Sequence, residues 1–314
     1  AGHGTTFQAV AEEWLQKFGP AMAPVTRRQA ESRLRKLVFP FIGRIEASEV
    51  TARDVLSVLR HPEELGNLET AHRLKQRCSQ VLRYAAQTGR ADRDVTVDLR
   101  GAIPPPQVTH HAAITEPKHV GPLLRAIDGY DGGAVVRAAL RLAPMLFVRP
   151  GELRAAEWAE IDEGNAEWNI PGHRMKMRLP HVVPLARQAL DIVAELRGLT
   201  GGGRYLFPSA RTNERPMSDA AMNAALRRMG YDSGEITSHG FRAMARTILD
   251  EVLKIPPHHI EQQLAHAVRD PNGRAYNRTK HLDERRVMMQ RWADYLDGLK
   301  ATNVVHFPAA ARGA

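Results

Sequence analysis

The stretch Ile103-Pro104-Pro105-Pro106-Gln107-Val108 divides the chain. Three consecutive prolines lack backbone donors and hold φ at about −65°, so the segment cannot sustain a helix and reads as an extended, semi-rigid connection. On its N-terminal side the apolar residues recur with a helical period. Thr5 and Gln8 are spaced as a capping box before a face of Phe7, Val10, Ala11, Trp14, Leu15 and Phe18. A second helix starts near Thr26, turns Leu34 and Leu37 inward, carries Arg27, Arg28, Arg33, Arg35 and Lys36, and is expected to break at Pro40 and Gly43. Thr51 caps a third through Val55 and Leu59. A fourth runs from Glu69 to Thr88 with Leu74, Cys78, Val81, Leu82 and Ala85 inward and Gly89 at its end.

On the C-terminal side, Thr115-Glu116-Pro117 opens a helix bearing Val120, Leu123, Leu124 and Ile127, and a more apolar helix follows over 135–146. Residues 166–170 and 181–185 read as two short strands. Helical patterns then cover 185–199, 218–229, 238–253, 260–267 and 276–299. The expected fold is mainly α with a small β-sheet, in two domains.

With 314 residues, 43% of them apolar, the chain can bury a sizeable core. Lysine and arginine total 44 against 35 acidic residues, a formal charge of +9. The excess is shared: 16 basic against 12 acidic side chains over 1–108, and 28 against 23 thereafter. Two basic halves favour a polyanionic partner, most simply nucleic acid. The single cysteine, Cys78, excludes an intramolecular disulfide framework, reads as a core residue and points to a reducing, cytoplasmic setting. Charges such as Arg137 and Arg141 interrupt every apolar run short of the roughly 18 residues a membrane span needs, so no membrane association is expected. The opening Ala1-Gly2-His3-Gly4 lacks the order of a signal peptide and an initiator methionine, so the chain is expected to continue a longer one.

Motifs for phosphate loops, zinc hydrolysis, paired-cysteine sites and serine elbows are absent from the sequence. Asp270-Pro271-Asn272-Gly273 lacks the downstream ligands of a calcium loop. His110-His111 and His258-His259 have no cysteine or carboxylate at ligand spacing, so no metal and no cofactor are expected. What stands out is a dispersed set of cationic and proton-transfer residues. Arg149 precedes Pro150-Gly151-Glu152-Leu153, at the start of a helix that favours an anion, with Glu152 one turn on to hold the guanidinium; the alternative is an ordinary surface pair. Ser238 is placed to cap a helix whose first turn carries His239 and Arg242 on one face. Arg174, Lys176 and Arg178 alternate as three outward cations of a strand or hairpin, or as a solvated basic edge. Tyr276 stands among Arg274 and Arg278, ten residues after His266.

Together these residues resemble the tyrosine recombinase (phage integrase) family, in particular the P4-type integrases of prophages and genomic islands. The resemblance is carried by Phe147-Val148-Arg149-Pro150-Gly151-Glu152-Leu153-Arg154, by Arg174-Met175-Lys176-Met177-Arg178 ahead of His181-Val182-Val183-Pro184-Leu185, by His239-Gly240-Phe241-Arg242, by Gln263-Leu264-Ala265-His266 and by Ala275-Tyr276-Asn277-Arg278. Five motifs in order across about 130 residues make a specific signal. The resemblance implies a helical core-binding domain over 1–102, a linker over 103–112, a catalytic domain over 113–298 and a C-terminal tail over 299–314.

It also implies roles. Arg149, Lys176, His239, Arg242 and His266 surround a scissile phosphate, Glu152 supports them, and Tyr276 is the nucleophile of a reaction that passes through a 3′-phosphotyrosyl intermediate. Arg27, Arg28, Arg33, Arg35, Lys36, Arg73, Lys75, Arg77, Arg174 and Arg178 are the expected contacts to duplex DNA. The implied partners are double-stranded DNA attachment sites and three further copies in a tetramer on synapsed DNA, with an excisionase and DNA-bending accessory proteins. The implied location is the bacterial cytoplasm, at the nucleoid. Members of this type carry an arm-type DNA-binding domain ahead of the core-binding domain, a segment the sequence does not contain. Two other readings share the chemistry or the fold: a type IB topoisomerase-like enzyme, and a catalytically silent DNA-binding regulator.

Overall fold

The computed structural model describes residues 4–106, 111–266 and 281–301. The chain divides into two compact units, Ala1–Thr109 and His110–Ala314.

In the first unit, α1 (Phe7–Phe18) is capped by Thr6, whose hydroxyl accepts from the Ala9 amide at 3.3 Å. The cap therefore sits one residue beyond the Thr5 expected, because the Thr5 carbonyl is already engaged by the Ala47 amide at 2.9 Å. α2 (Pro24–Arg33) runs through a π-turn at Leu34–Val38 into α3 (Phe39–Ile42). Pro40 does not break this helix as expected. It occupies the first turn of α3, where a missing amide costs little, and the wide turn absorbs the mismatch as the Phe39 amide reaches back five residues to the Leu34 carbonyl. A reciprocal Thr51–Asp54 capping box opens α4 (Ala52–Glu64). α5 (Leu68–Gln87) ends as Gly89 takes φ +71° and the Arg90 amide closes on the Ala85 carbonyl at 2.8 Å. Phe7, Leu34, Leu59, Leu74 and Leu82 fill the core, with Cys78 fully buried and its thiol pushed up to about 12 by desolvation. Ile103, read as the first linker residue, is buried in that same core.

In the second unit, α6 (Pro117–Asp128) and α7 (Ala134–Leu146) are followed by a sharp turn at Phe147, φ +39°. A bulky side chain is costly in the left-handed region. Here the fully buried ring meets Trp292 edge-on, with centroids 6.3 Å apart, and that contact holds the turn that delivers Arg149 as N-cap of α8 (Pro150–Arg154). β1 (Ile161–Asp162), β2 (Glu167–Ile170) and β3 (His181–Pro184) form an antiparallel sheet in that order, pairing Trp168 with Val183 and Ile170 with His181. α9 (Arg187–Thr200) leads to a hairpin of β4 (Pro208–Ser209) and β5 (Thr212–Pro216).

α10 (Ala221–Arg228), α11 (Gly240–Glu251), α12 (Pro257–Gln263) and α13 (Leu282–Ala301) complete the described chain. The molecule is mainly α with a small sheet. β1, β4 and β5 escape the sequence reading because two to five residues carry too little alternation to register. Trp292 anchors α13 to the core, its indole donating to the Pro144 carbonyl at 2.9 Å. Among the described residues no helix is long and apolar enough to cross a membrane.

Candidate active site

Arg149 is fastened by its own helix. Glu152 accepts from the Arg149 backbone amide at 3.0 Å and from its guanidinium at 2.8 Å, and the carboxylate is buried while the guanidinium keeps a face to solvent. The pairing foreseen three residues apart is thus present. Arg149 Nη2 also donates to the Ala265 carbonyl at 3.2 Å.

Arg242 lies in the first turn of α11 and is only 5% exposed. Its guanidinium donates to the Phe147 carbonyl and the Leu264 carbonyl, each at 2.8 Å, and to His266 Nε2 at 3.0 Å. Burial, with the neighbouring Arg149 charge, lowers its pKa to about 10, which leaves it cationic at neutral pH. Two guanidiniums within electrostatic reach of each other in a partly dry site are compensated in part by Glu152 and Glu261. Such a pair is matched by an anion that takes both.

His266 follows Ala265, a non-glycine residue at φ +50°, and its Nδ1 meets Glu261 Oε2 at 2.5 Å. Arg246 steadies the same carboxylate at 3.0 Å. His239 is the N-cap residue of α11, half-buried, with its ring 4.3 Å from that of His111. Burial first, then His111 and the charges of Arg242 and Arg149, push its pKa down to about 4, so the imidazole is neutral at physiological pH. Ser238 does not cap this helix as expected; its amide is bound by Asn223, and the hydroxyl that accepts from the Gly240 amide is that of Thr237, at 3.2 Å.

A buried layer backs the site. Arg285, fully buried, donates to Gln263 Oε1 at 3.0 Å and 2.6 Å and to the Val182 carbonyl, and the Gln263 carbonyl accepts from His181 Nε2 at 3.1 Å. This layer holds the Gln263-Leu264-Ala265 backbone whose carbonyls receive Arg242 and Arg149. Glu261, His181 and Arg285 were not among the expected site residues; Glu261, five positions before His266, was the one within reach of local spacing.

Lys176 is exposed on the turn between β2 and β3, beside Met175, whose buried side chain pins the turn, and makes no hydrogen bond or ion pair among the described residues. Arg174 corrects the expectation of three outward cations. Gly172–Arg174 is a 3-10 turn, not a strand, and it swings Arg174 inward to pair with buried Glu160 and to donate to the Glu152 carbonyl at 2.8 Å. Arg174 is thus a support for Glu152 rather than a free DNA contact, while Arg178 is exposed at φ +57°. Tyr276 lies outside the described residues, as does His110.

In the first unit, Arg27, Arg28, Arg35, Lys36 and Arg73 are exposed, and two of them are paired on their own helices, Arg35 with Glu31 at 3.2 Å and Arg73 with Glu69 at 2.6 Å. Arg77 lies over the Trp14 ring at 6.0 Å, and desolvation together with Arg33 and Arg73 lowers its pKa. Lys75 is committed inward, to the Leu99 carbonyl at 2.7 Å. The expectation of no metal ligands rested on local spacing; folding brings His281 to His258 and His259, all three ligand nitrogens lying within 4.8 Å of one another.

Comparison with known proteins identifies the family. Residues 7–102 match the phage integrase central domain, and residues 114–281 match the phage integrase family. The integrase of Enterobacteria phage P4 is 36% identical over 306 residues, covering 93% of this chain and 69% of its own. The crystal structure of a lambda integrase (75–356) dimer bound to a COC′ core site superimposes with a TM-score of 0.67 at 15% identity, covering 87% of this chain and 98% of that one. A lambda integrase tetramer bound to a Holliday junction gives 0.67 at 14% identity, covering 88% and 81%. With its two matched regions in sequence order and its arginine, glutamate and histidine cluster assembled in the second of them, the chain belongs to the phage integrase family.

Proposed function

We propose that this site-specific DNA recombinase holds one DNA phosphodiester between Arg149 and Arg242 and attacks it with Tyr276. The observation that carries the reading is the convergence of Arg149 and Arg242 on the Leu264-Ala265 carbonyls, with Glu152 bonded to the first guanidinium and His266 to the second. The two guanidinium forks take the non-bridging oxygens and stabilise the charge that gathers as phosphorus becomes five-coordinate. His266 steadies Arg242 for that contact, its Nε2 accepting from the guanidinium at 3.0 Å.

A phenol with a pKa of about 10 is about 0.1% ionised at neutral pH, so the proton must leave as the P–O bond forms. Neutral His239 accepts it. The bond to the 5′ oxygen breaks, Lys176 supplies the proton to that oxygen, and the products are a 3′-phosphotyrosyl chain and a free 5′ hydroxyl. The intermediate conserves the phosphodiester's energy, so rejoining to another strand proceeds without ATP, and the two arginines supply the charge that a metal supplies in other phosphoryl transfers. Exchange of four strands calls for four copies on two attachment sites, as in the lambda integrase tetramer on a Holliday junction. Arg27, Arg28, Arg33, Arg35, Lys36, Arg73 and Arg77 of the first unit and Arg178 of the second bind the duplex, at the nucleoid of a bacterial cytoplasm, with an excisionase and DNA-bending proteins setting direction.

The test uses attachment-site DNA from the direct repeats flanking the element, nicked beside the cleavage position. Wild-type protein in EDTA and without ATP is expected to form an SDS-stable complex, and Tyr276→Phe to bind the same DNA without forming one. Wild-type binding that never traps its own site supports a silent regulator instead.

A further inference from the structure

Three imidazoles to which the recombination chemistry assigns no role stand together. His258 and His259 occupy the first turn of α12, and His281, 22 positions beyond His259, immediately precedes α13. Ring centroids are 4.2 Å apart for His258 and His259, 5.0 Å for His258 and His281, and 4.8 Å for His259 and His281. The planes are inclined at 52° to 71°, so the rings meet at edges and tilts rather than in a stack. One nitrogen from each lies within 4.8 Å of the other two. His258 is exposed and the other two half-buried, which leaves an entry path from solvent.

We propose that His258, His259 and His281 bind a divalent cation of the zinc, nickel and copper class, one imidazole nitrogen each, with water completing the shell. A ligand set of three neutral nitrogens prefers these ions to magnesium or calcium, which require oxygen. With Zn–N bonds of about 2.0–2.1 Å, tetrahedral ligands sit about 3.3 Å apart, a spacing that modest rotation of exposed rings reaches. Glu284 lies 3.8 Å from His281 Nδ1, too far for a hydrogen bond but on the Nδ1 side of the ring, which leaves Nε2 for the metal. His281 itself adopts φ +57°, a conformation that a non-glycine residue keeps only when its surroundings hold it. The ion ties α12 to the start of α13 and brackets, in sequence, the stretch that carries His266 and Tyr276. It is structural, so the strand-transfer chemistry and this site fail independently.

The test is zinc titration of the tag-free, chelator-treated full chain by calorimetry at pH 7.5. One Zn2+ per chain at micromolar affinity is expected, weakened at least tenfold by His259→Ala and by His281→Ala and unchanged by His61→Ala in the first unit. Absence of binding to the wild type, or wild-type affinity in either variant, overturns the site. Circular dichroism of the metal-free variants checks their fold. Electron paramagnetic resonance of the Cu2+-loaded wild type counts coordinated nitrogens without any variant: three are expected, and one or none overturns the proposal.

Discussion

Arg242 Nη2 and Glu261 Oε2 sit on opposite sides of the His266 ring, at 3.0 Å from Nε2 and 2.5 Å from Nδ1. A guanidinium has no lone pair to offer, so Nε2 accepts and the ring proton resides on Nδ1, donated to Glu261. The carboxylate thereby fixes both the tautomer and the plane of the imidazole against the arginine that receives the phosphate.

Removing that carboxylate is expected to slow chemistry without weakening DNA binding. Glu261→Ala should lower single-turnover cleavage by about tenfold, the usual scale for an outer carboxylate on a functional imidazole, and Glu261→Gln should restore most of it by accepting the same proton. Quench-flow on a nicked site measures both. Equal rates in wild type and Glu261→Ala contradict the assignment.

Glu152 is buried and its ionic partner is Arg149. Arg149→Ala removes the hydrogen-bonded cation of that carboxylate and leaves it only the charge of Arg242, which costs up to about 3 kcal/mol of stability. Urea unfolding should show the loss, and Arg149→Ala/Glu152→Gln should recover much of it while cleaving no DNA. A double variant no more stable than the single one contradicts the pairing.

His239 and His181 have pKa values pushed down by burial, to about 4 and about 3. Each is neutral in the folded chain over a range where the unfolded chain, near 6.5, binds a proton. Stability is therefore full above about pH 6.5, falls as the pH drops, and levels off only below the folded values. The urea midpoint between pH 7.5 and 3.5 reads this, and His181→Phe should flatten part of the slope. An unchanged slope in that variant removes His181 from the account.

Lys176 is exposed on its turn and makes no hydrogen bond or ion pair among the described residues, as suits a proton donor for a leaving group brought by the substrate. Lys176→Ala should cut cleavage by about 10²–10⁴-fold on ordinary DNA. On DNA with sulfur at the bridging 5′ position, whose thiolate leaves without a proton, the variant should approach wild type. A defect of equal size on both substrates rules out the general-acid role.

Much of the site was legible because each motif sits at a helix start or turn, where residue type and backbone geometry are linked within a few positions. Arg149 with Glu152, and His239 with Arg242, are of this kind. Alternation predicts an outward Arg174 because it presupposes a strand, and the partner that draws it inward, Glu160, is fourteen residues away in sequence. His281 joins His258 and His259 only through the packing of α13, which no local spacing reveals. Pro40 predicts a break because proline removes one bond, while the π-turn before it, closed by the Phe39 amide on the Leu34 carbonyl, places it in a first turn where no bond is needed.

Covalent attachment to Tyr276 is the central claim, and the attached residue can be identified directly. Trypsin cuts after Arg274 and Arg278, so the nucleophile lies on the peptide Ala275-Tyr276-Asn277-Arg278. After trapping on nicked attachment-site DNA, nuclease and trypsin digestion, mass spectrometry should find the nucleotide phosphate on this peptide, at Tyr276. An adduct on any other residue, or DNA cleavage with no adduct at all, contradicts the account.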